Sequence, residues 1–324
     1  MTMKGFDPKF KDFPDYIIGI TKEIWEDRGI ATLHQYYSDD IVVRSPASVV
    51  IGNQKVIGAT MATLAEFPDR TLLGEDVIWS GTPDEGMLSS HRLLSAATHT
   101  NDGMYGRATG KPLVYRIMAD CHAVNNQIND EWLIRDQGAI VRQMGWDPKG
   151  YAVDLIAREG GPEACVQPLT PKTDQPGPYK GCGNDNEWGA KYVDILTRLM
   201  AADMALIPRD YDRAVVTEYP GGLTGHSHCS VDAFWMGLRA SFPSAEFKID
   251  HVIGRDDPMM PPRAAVRWSL SGKHDGWGAF GTPTGADVYV LGISHAEFGP
   301  WGLRREYTIF DETSVWKQIL LQTG

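Results

Sequence analysis

The sequence predicts an α+β protein built from two tandem copies of one domain. Three observations predict this fold: the second half repeats the first at a constant offset, each half changes from helical to strand patterns, and a proline- and glycine-rich segment lies between the halves. A chain of 324 residues is long enough for two domains of about 150 residues, each with its own core.

The repeat aligns residues 67–144 with residues 242–319 at an offset of 175 without a gap. Fifteen of these 78 positions are identical, against roughly five expected by chance from average residue frequencies. Most identical pairs are turn formers or chemically capable side chains: Phe67-Pro68 with Phe242-Pro243, Arg92 with Arg267, His99 with His274, Gly103 with Gly278, Gly106 with Gly281, Thr109-Gly110 with Thr284-Gly285, Glu131 with Glu306, Asp136 with Asp311 and Gln143 with Gln318. The repeat therefore indicates a duplicated domain.

Each half begins with apolar residues at helical spacing: Ile17, Ile20 and Ile24 in the first half, and Tyr192, Ile195, Leu196 and Leu199 in the second. A second helical stretch, Thr32–Tyr37, leads into Val42-Val43, and its counterpart leads into Val215-Val216. The strand patterns of the first half are Asp76–Trp79, Met87–Ala97, Lys111–Ala119 and Glu131–Ile134, with the glycine-rich run Gly103–Gly110 between two of them. Helices followed by an antiparallel sheet predict a curved sheet that closes over the helices.

The segment 159–188 contains most of the evidence for a domain boundary. It is polar and includes Gly160-Gly161-Pro162, Pro168, Pro171, Pro176-Gly177-Pro178 and Gly181. Such a composition is typical of a partly extended linker. We therefore predict a first domain over 1–158, a linker over 159–188 and a second domain over 189–324.

Charge and composition limit the classes of molecule that this protein is expected to bind. A formal net charge of -11 disfavours nucleic acid, because affinity for the phosphate backbone depends largely on Lys and Arg. The sequence has no apolar run long enough to span a bilayer, and its beginning does not resemble a signal peptide, so we expect a cytoplasmic protein that does not bind membranes. We expect a small organic partner instead.

The sequence has no recognisable motif for binding a cofactor or a metal ion. The sequence contains no GxGxxG, Walker or GxSxG motif, and its four cysteines form no CxxC pair. His226 and His228 have a spacing that could supply two metal ligands, but no third ligand follows at a recognisable spacing. We predict a polar loop there, before a helix over Val231–Arg239, and we expect neither a metal nor a cofactor.

Two ordered motifs carry a family resemblance. The run His99–Gly110 resembles the glycine turn of SnoaL-like polyketide cyclases, which closes on Pro/Ala-Thr-Gly, and it has a second copy in His274–Gly285. Glu131-Trp132, Asp136 and Gln143-Met144-Gly145 resemble the closing motif of that family; the second copy has Glu306-Tyr307, Asp311 and Gln318-Ile319, so Trp becomes Tyr and the glycine is lost. The resemblance covers nearly all of both halves. It implies two tandem cone-shaped domains, each with N-terminal helices packed against a curved, mixed β-sheet, as in nuclear transport factor 2-like proteins.

In the cyclases that this chain resembles, an aspartate near the end of the last strand acts as a general acid/base in an apolar cone. Asp136 and Asp311 occupy the matching positions, which implies a catalytic role. Burial would raise the pKa of such a carboxyl towards the range where proton transfer is efficient. The alternative is that each aspartate caps the helix that follows it, and the two roles could overlap.

The preceding strand holds a second candidate pair in each half. Asp120 and His122 stand two residues apart, and the aligned residues are His295 and Glu297. Residues i and i+2 of a strand share a face, so each half presents an acid beside an imidazole, an arrangement suited to acid/base chemistry. The alternative is a solvated strand end, and the decision depends on whether this face points into the cone.

The remaining candidates are expected to line the substrate pocket. His99 and His274 begin the glycine turns, as turn-stabilising or pocket-rim residues. Trp132 shares strand parity with Asp136, and Tyr307 shares it with Asp311, which predicts an aromatic wall beside each carboxylate. The pocket is also expected to include Arg116, Tyr105 and Phe280.

These observations favour a cofactor-independent enzyme that performs acid/base chemistry on a small apolar or amphipathic substrate, as an aldol cyclase, isomerase, dehydratase or hydrolase would. The alternative is a non-catalytic small-molecule-binding or scaffold protein of the same fold. Activation of water by an Asp–Arg–Asp network is less favoured, because only Arg116 near Asp120 is a candidate for it. Members of the family that this chain resembles usually pair as homodimers through the sheet, so the resemblance and the duplication together imply an intramolecular pseudo-dimer, which could pair again as a homodimer.

Overall fold

The computed structural model describes residues 3–324, and each half forms helices and a six-stranded sheet. The first half comprises α1 (Phe13–Thr21), α2 (Leu33–Tyr36), β1 (Tyr37–Ser45), β2 (Ser48–Ile51), α3 (Asn53–Glu66), β3 (Thr71–Thr82), β4 (Gly86–Thr98), β5 (Pro112–Val124), β6 (Gln127–Arg135), α4 (Gln137–Met144) and α5 (Pro148–Arg158). The second comprises α6 (Glu187–Met200), α7 (Ile207–Asp210), β7 (Tyr211–Tyr219), β8 (Leu223–His226), α8 (Ser227–Ser241), β9 (Glu246–Arg255), β10 (Arg263–Lys273), β11 (Asp287–Gly299), β12 (Gly302–Phe310) and α9 (Glu312–Thr323).

Both sheets have the same topology. The strand order is β2-β1-β6-β5-β4-β3 in the first and β8-β7-β12-β11-β10-β9 in the second. One neighbouring pair in each sheet is parallel, β1 with β6 and β7 with β12, and the other pairs are antiparallel. The predicted fold class, two tandem α+β domains with mixed sheets, is confirmed.

The register of the strands supports the repeat. Leu93 pairs with Ile117 in the first sheet, and Trp268 pairs with Gly292 in the second, each displaced by 175 residues. In β1 and β7 the offset is 174, because Tyr37 is opposite Ile128 and Tyr211 is opposite Leu303. Equivalent positions of the two domains can therefore be compared residue by residue.

Alternation along the strands separates two faces of each sheet. In β6, Glu131, Leu133 and Arg135 line the space enclosed between helices and sheet, while Trp132 and Ile134 lie on the opposite face. The opposite faces of the two sheets pack against each other through Met118, Ile134, Leu291, Ile293, Tyr307 and Ile309. Both faces of each sheet are thus covered.

The segment between α5 and α6, residues 159–186, follows this interface between the domains. Leu169 joins the apolar contact between the sheets, and its N–H donates to the Pro46 carbonyl (3.0 Å). The Tyr179 ring lies against His122 with ring centroids 4.7 Å apart, and its hydroxyl is 2.7 Å from His251 Nε2. The predicted linker is therefore also part of the contact between the two domains.

Within residues 3–324, no helix is both long and apolar enough to cross a membrane.

Candidate active site

The first domain encloses a cavity of about 550 Å³ between its helices and the inner face of its sheet. This volume is within the range of small-molecule sites. The walls include Ile17, Ile20 and Trp25 from the N-terminal helical segment, Ala59, Thr60 and Thr63 from α3, and Leu93, Ile117, Ala119, Cys121 and Leu133 from the sheet. Polar groups also reach the cavity: Tyr37, Arg70, His91, Tyr105, Glu131, Arg135, Gln137 and Asp311. The cavity is therefore largely apolar with a few charged groups.

The corresponding space in the second domain is filled by larger side chains. At equivalent positions, Ile17 becomes Tyr192, Ser45 becomes Tyr219, Ala59 becomes Phe234, Thr60 becomes Trp235, Leu93 becomes Trp268 and Arg135 becomes Phe310. Trp235 and Trp268 are both fully buried in the core of this domain. Gly292 makes room for Trp268, since a Cβ there would lie 2.1 Å from the indole. The duplicated cone is thus open in one copy and packed in the other.

Glu131 places a carboxyl group in the open cone. It is buried, and burial raises its pKa from the ordinary value of 4.5 to about 7, while the neighbouring Tyr37 hydroxyl acts in the opposite direction and Asp130 adds to the rise. The surrounding walls are formed by Ala119, Cys121 and Ile128. A carboxyl group with this pKa can both accept and release a proton near neutral pH.

Glu306, the equivalent residue of the second domain, has a different environment. Its carboxylate accepts hydrogen bonds from the hydroxyls of Tyr192 (2.9 Å), Tyr211 (3.0 Å) and Tyr219 (2.5 Å) and from the Trp235 indole (3.2 Å). Three of these four donors are Ile, Ser and Thr at the equivalent first-domain positions, and the fourth is retained as Tyr37. The two equivalent glutamates therefore have different environments: Glu306 accepts hydrogen bonds from four donors, and Glu131 faces an open cavity.

Asp311 reaches the same cavity from the second domain. Its Oδ1 caps α9 by accepting from the N–H groups of Thr313 (2.8 Å) and Ser314 (3.2 Å). No hydrogen bond found among residues 3–324 uses its Oδ2. Burial raises the pKa of Asp311 to about 6. The Ser314 hydroxyl donates to the Pro46 carbonyl (2.6 Å), which fixes the cap against the turn between β1 and β2.

Asp136 has a more fully bonded environment. It caps α4 by accepting from the Ala139 N–H (3.0 Å), and it also accepts from the N–H groups of Gly221 (2.9 Å) and Gly222 (3.0 Å) across the domain boundary. It lines a second cavity, of about 410 Å³, between the domains rather than the cone of the first domain. Asp311 therefore both caps a helix and lines the cavity of the first domain. Asp136 caps a helix and joins the two domains, but it does not line that cavity.

Asp120 and His295 do not face a cone. Asp120 is buried between the sheets, where its Oδ2 accepts from Arg267 of the second domain (2.5 Å). His295 Nε2 is 2.8 Å from the Ser90 hydroxyl, and its Nδ1 is 3.2 Å from a guanidinium nitrogen of Arg92. The expected acid–imidazole face is therefore the interface between the domains, and its residues connect the two halves of the chain.

The partners of these two residues lie on the same interface. His122 is 2.6 Å from Asn129 Oδ1 through its Nδ1 and contacts the Tyr179 ring. Glu297 lies 3.9 Å from the Arg305 guanidinium. The expected pairs Asp120/His122 and His295/Glu297 thus have separate partners and line neither cone. Strand parity predicted correctly that each pair shares a face, but not which face.

Arg116, Trp132 and Tyr307 also belong to this interface and do not line the cavity of the first domain; Arg116 lines the second cavity, between the domains. Arg116 pairs with Glu75 (2.9 Å) and Glu218 (2.9 Å), so it forms no network with Asp120. The Trp132 ring lies 3.7 Å from the Arg267 guanidinium, and the Tyr307 ring lies 3.5 Å from that of Arg92. The expected aromatic walls beside Asp136 and Asp311 are therefore cation–π contacts between the sheets.

The glycine-turn histidines hold the loop. His99 Nδ1 is 3.1 Å from the Thr109 hydroxyl and its Nε2 is 3.1 Å from Glu66 Oε1, while His274 Nδ1 is 3.1 Å from the Thr284 hydroxyl. Both side chains are fully buried, and neither lines the first-domain cavity. Their contacts agree with the turn-stabilising interpretation.

Tyr105 and Phe280 occupy equivalent positions, one in the domain with the open cavity and the other in the domain with the filled core. Tyr105 lines the open cavity, and its hydroxyl donates to Gln137 Oε1. Phe280 is packed in the filled core of the second domain, so the expectation that it lines a substrate pocket is not met.

The two histidines of the HxH motif lie at the junction of β8 and α8. His226 ends β8, and His228 Nε2 is 3.1 Å from the Tyr211 carbonyl oxygen. The predicted loop is thus a direct change from strand to helix. Within residues 3–324, no group of three or more His, Cys, Asp or Glu side chains is arranged to hold a metal ion.

The buried pair Asp120–Arg267 allows a stability prediction. Replacing Asp120 by Ala leaves a buried, unpaired guanidinium, so we expect the free energy of unfolding to fall by about 3–5 kcal/mol. The double variant D120A/R267M removes both charges and should recover most of this loss. Urea unfolding of the single and double variants measures these changes in the free energy of unfolding. A decrease below about 1 kcal/mol in D120A would contradict a structural role for the pair.

Sequence reasoning missed Glu131, Arg70 and Arg135 as site residues. Glu131 belongs to a repeated motif, but the sequence prediction put Trp132 and Asp136 on the pocket face. Glu131, Leu133 and Arg135 line the cavity instead, on the opposite face of β6 from Trp132. Comparison of the aligned halves contained a usable pattern: small or polar residues such as Thr60 and Arg135 are aligned with the large apolar residues Trp235 and Phe310. Such a contrast indicates which copy is open.

Comparison with known proteins gives the following matches. Residues 16–144 match the family model described as SnoaL-like polyketide cyclase. The structure of IdmH from Streptomyces antibioticus is similar at 22% identity, over 41% of this chain and 98% of that one, with a TM-score of 0.36. A SnoaL-like polyketide cyclase from Agrobacterium tumefaciens is similar at 17% identity, over 42% of this chain and 99% of that one, with a TM-score of 0.33. The search of curated proteins gave no match.

Proposed function

We propose that the first domain, which matches the SnoaL-like polyketide cyclase family model over residues 16–144, is the catalytic half of a cofactor-independent acid/base enzyme. Its substrate would be a small, largely apolar carbonyl or hydroxyl compound, and its reaction an aldol cyclisation, isomerisation, dehydration or hydrolysis. The observation that carries this proposal is the buried carboxyl of Glu131, with a pKa of about 7, inside an apolar cavity of about 550 Å³.

Glu131 would act as the general base. A carboxylate removes a proton from carbon poorly when its conjugate acid has a pKa near 4, and better when desolvation brings that pKa closer to 7. The apolar walls supply this desolvation and exclude competing water. The Tyr37 hydroxyl beside Glu131 would stabilise the ionised form that the proton transfer requires.

Asp311 would be the second acid/base group. Its Oδ1 is used by the helix cap, which leaves Oδ2 for the cavity. Since its pKa, at about 6, is below that of Glu131, it would be the more ionised of the two carboxyls at pH 7. Asp311 comes from the second domain, so the filled domain would complete the site of the open one.

The filled cone gives the second domain a structural role in this proposal. Trp235 and Trp268 occupy the space where a substrate would lie, and Glu306 is saturated by hydrogen bonds. The scaffold hypothesis thus applies to this half, with Asp311 as its contribution to the site.

Exchange of carbon-bound protons with solvent tests the proposed chemistry without knowledge of the complete reaction. The full chain is incubated in D₂O with a panel of small aryl and alkyl ketones and keto acids, and loss of the α-proton signals is followed by NMR. We expect at least one ketone that binds to exchange more than tenfold faster than in buffer. If ketones bind in the cavity and none exchanges faster, the protein is a non-catalytic binding protein.

The pH dependence follows from the pKa of Glu131. The exchange rate should rise with pH to a plateau, with a midpoint near 7, because Glu131 must be ionised to accept a proton. A bell-shaped pH profile of the exchange rate centred well below pH 6 would contradict this assignment.

The raised pKa of Glu131 also means that the folded state binds this proton more tightly than the unfolded chain does. Glu131 should therefore lower the free energy of unfolding as pH rises from about 4.5 to about 7. In E131Q that part of the pH dependence of stability should be absent.

A further inference from the structure

Two arginines in the cavity of the first domain have no carboxylate partner. Arg70 is 6% exposed, and its Nε reaches the Ser95 hydroxyl at 3.4 Å. The Nε of Arg135 is buried and has no hydrogen-bond partner. Neither forms an ion pair with any described residue, whereas the other buried arginines, namely Arg44, Arg92, Arg263 and Arg267, each pair with Asp or Glu.

The carboxylates around the cavity are occupied elsewhere. Glu66 accepts from the N–H groups of Met104 (2.9 Å) and Tyr105 (2.9 Å) and lies 3.1 Å from His99 Nε2. Asp102 Oδ1 accepts from the Ala108 N–H (2.8 Å), and Asp311 Oδ1 caps α9. Glu131 is substantially protonated at neutral pH because of its raised pKa. Of these carboxylates, Asp311 stabilises the charge of Arg135 electrostatically, but among residues 3–324 none forms an ion pair with either guanidinium group.

Placing two such cations in an apolar cavity is unfavourable. Burial lowers the pKa of Arg70 and the neighbouring charge of Arg135 adds to the fall, while Tyr115 acts in the opposite direction. Burial also opposes the charge of Arg135, but Tyr105, Tyr115 and Asp311 outweigh it and raise the pKa of that group. An unpaired buried charge costs several kcal/mol unless an opposite charge compensates it. The fold itself does not require these arginines, because their counterparts in the filled domain are Ala245 and Phe310. The arginines occur only in the copy that has space for a ligand.

We propose that the substrate of this cavity is an organic carboxylate with an apolar body, whose carboxylate binds between Arg70 and Arg135. The guanidinium fork matches a carboxylate in geometry and charge, and the apolar walls accommodate the rest of the molecule. This inference deepens the proposed function and rests on the same cavity, since it names the class of compound on which Glu131 would act.

Calorimetric titration with 2-naphthoate and its neutral isostere 2-naphthamide tests the charge requirement in the native protein. The two probes have nearly the same shape, so a difference in affinity reports the charge. We expect 2-naphthoate to bind at least tenfold more tightly than 2-naphthamide. Equal affinities, or tighter binding of the amide, would overturn the proposal. Inorganic phosphate should bind at least tenfold more weakly than 2-naphthoate; equal or tighter binding of phosphate would also overturn it.

Variants locate the interaction. R70A and R135F introduce the residues that the second domain already has at these positions, and each should abolish the preference for the carboxylate. R135K keeps the charge and should retain part of the preference. R107A, which removes an exposed charge near the glycine turn, is the control and should bind both probes normally. Unchanged preference in both folded R70A and R135F would contradict the assignment.

Failure of this inference and failure of the proposed function are distinguishable. If 2-naphthoate binds as expected but no ketone or keto acid exchanges its α-protons, the carboxylate site stands and catalysis does not. If neutral ketones exchange and 2-naphthoate shows no preference, catalysis stands and the carboxylate inference is overturned.

Discussion

The E131Q variant should lose at least 100-fold in the rate of α-proton exchange and keep its fold. Gln has nearly the same size as Glu but cannot accept the proton, and a positioned general base contributes typically 10²- to 10⁴-fold to a rate. Because the Glu131 carboxyl is desolvated, the neutral amide should not destabilise the protein at pH 7.5. Proton exchange by NMR and thermal unfolding by circular dichroism measure the two effects.

The second domain provides the matched control. In E306Q the same substitution replaces an acceptor of four hydrogen bonds, so one or more buried donors of Tyr219 and Trp235 lose their acceptor. We expect a loss of about 1–3 kcal/mol in the free energy of unfolding and little change in exchange rate. The assignment of roles would be reversed if E306Q lost the activity and E131Q retained it.

Filling the open cone should abolish ligand binding without unfolding the protein. In L93W, the first domain acquires the residue that its copy has at the equivalent position, Trp268. The indole would occupy part of the cavity, so we expect 2-naphthoate to bind at least 100-fold more weakly and exchange activity to fall with it. The residue equivalent to Gly292 is Ile117, whose side chain the new indole must displace, so the melting temperature of L93W should fall. The double variant L93W/I117G copies both residues of the second domain and should recover part of this loss while ligand binding stays impaired.

The control for this substitution is L73W, which adds the same indole at an exposed position of β3. L73W should bind and catalyse normally. Unimpaired binding in L93W would show that the ligand does not lie in this cone. Loss of binding in both variants would show that the effect does not depend on filling the cavity.

The fold was largely predictable, for physical reasons that particular residues make clear. Turn formers such as Gly106 and Gly281 require positive φ (95° and 75°), so they keep their identity in both copies while apolar residues exchange freely. The helices and strands follow from spacing and from caps such as Asp136 and Asp311. Their acidic side chains predicted the helix starts.

The position of the site was less predictable, because both faces of each sheet are buried. Asp120 and His295 looked like pocket residues on strand parity, but the second sheet covers the outer face of the first and pairs Asp120 with Arg267. Alternation identifies the residues that share a face; it cannot tell the inside of a cone from an interface when both exclude water. The contribution of Asp311 to the cavity of the other domain depends on domain packing, which no local pattern encodes.

A crystal structure of the full chain with 2-naphthoate tests the central claim most directly. The account predicts the naphthalene ring in the cone of the first domain near Glu131, its carboxylate within hydrogen-bond distance of Arg70 and Arg135, and the second cone filled by Trp235 and Trp268. A probe bound in the second cone or between the sheets, with the cone of the first domain closed by its own side chains, would contradict the account.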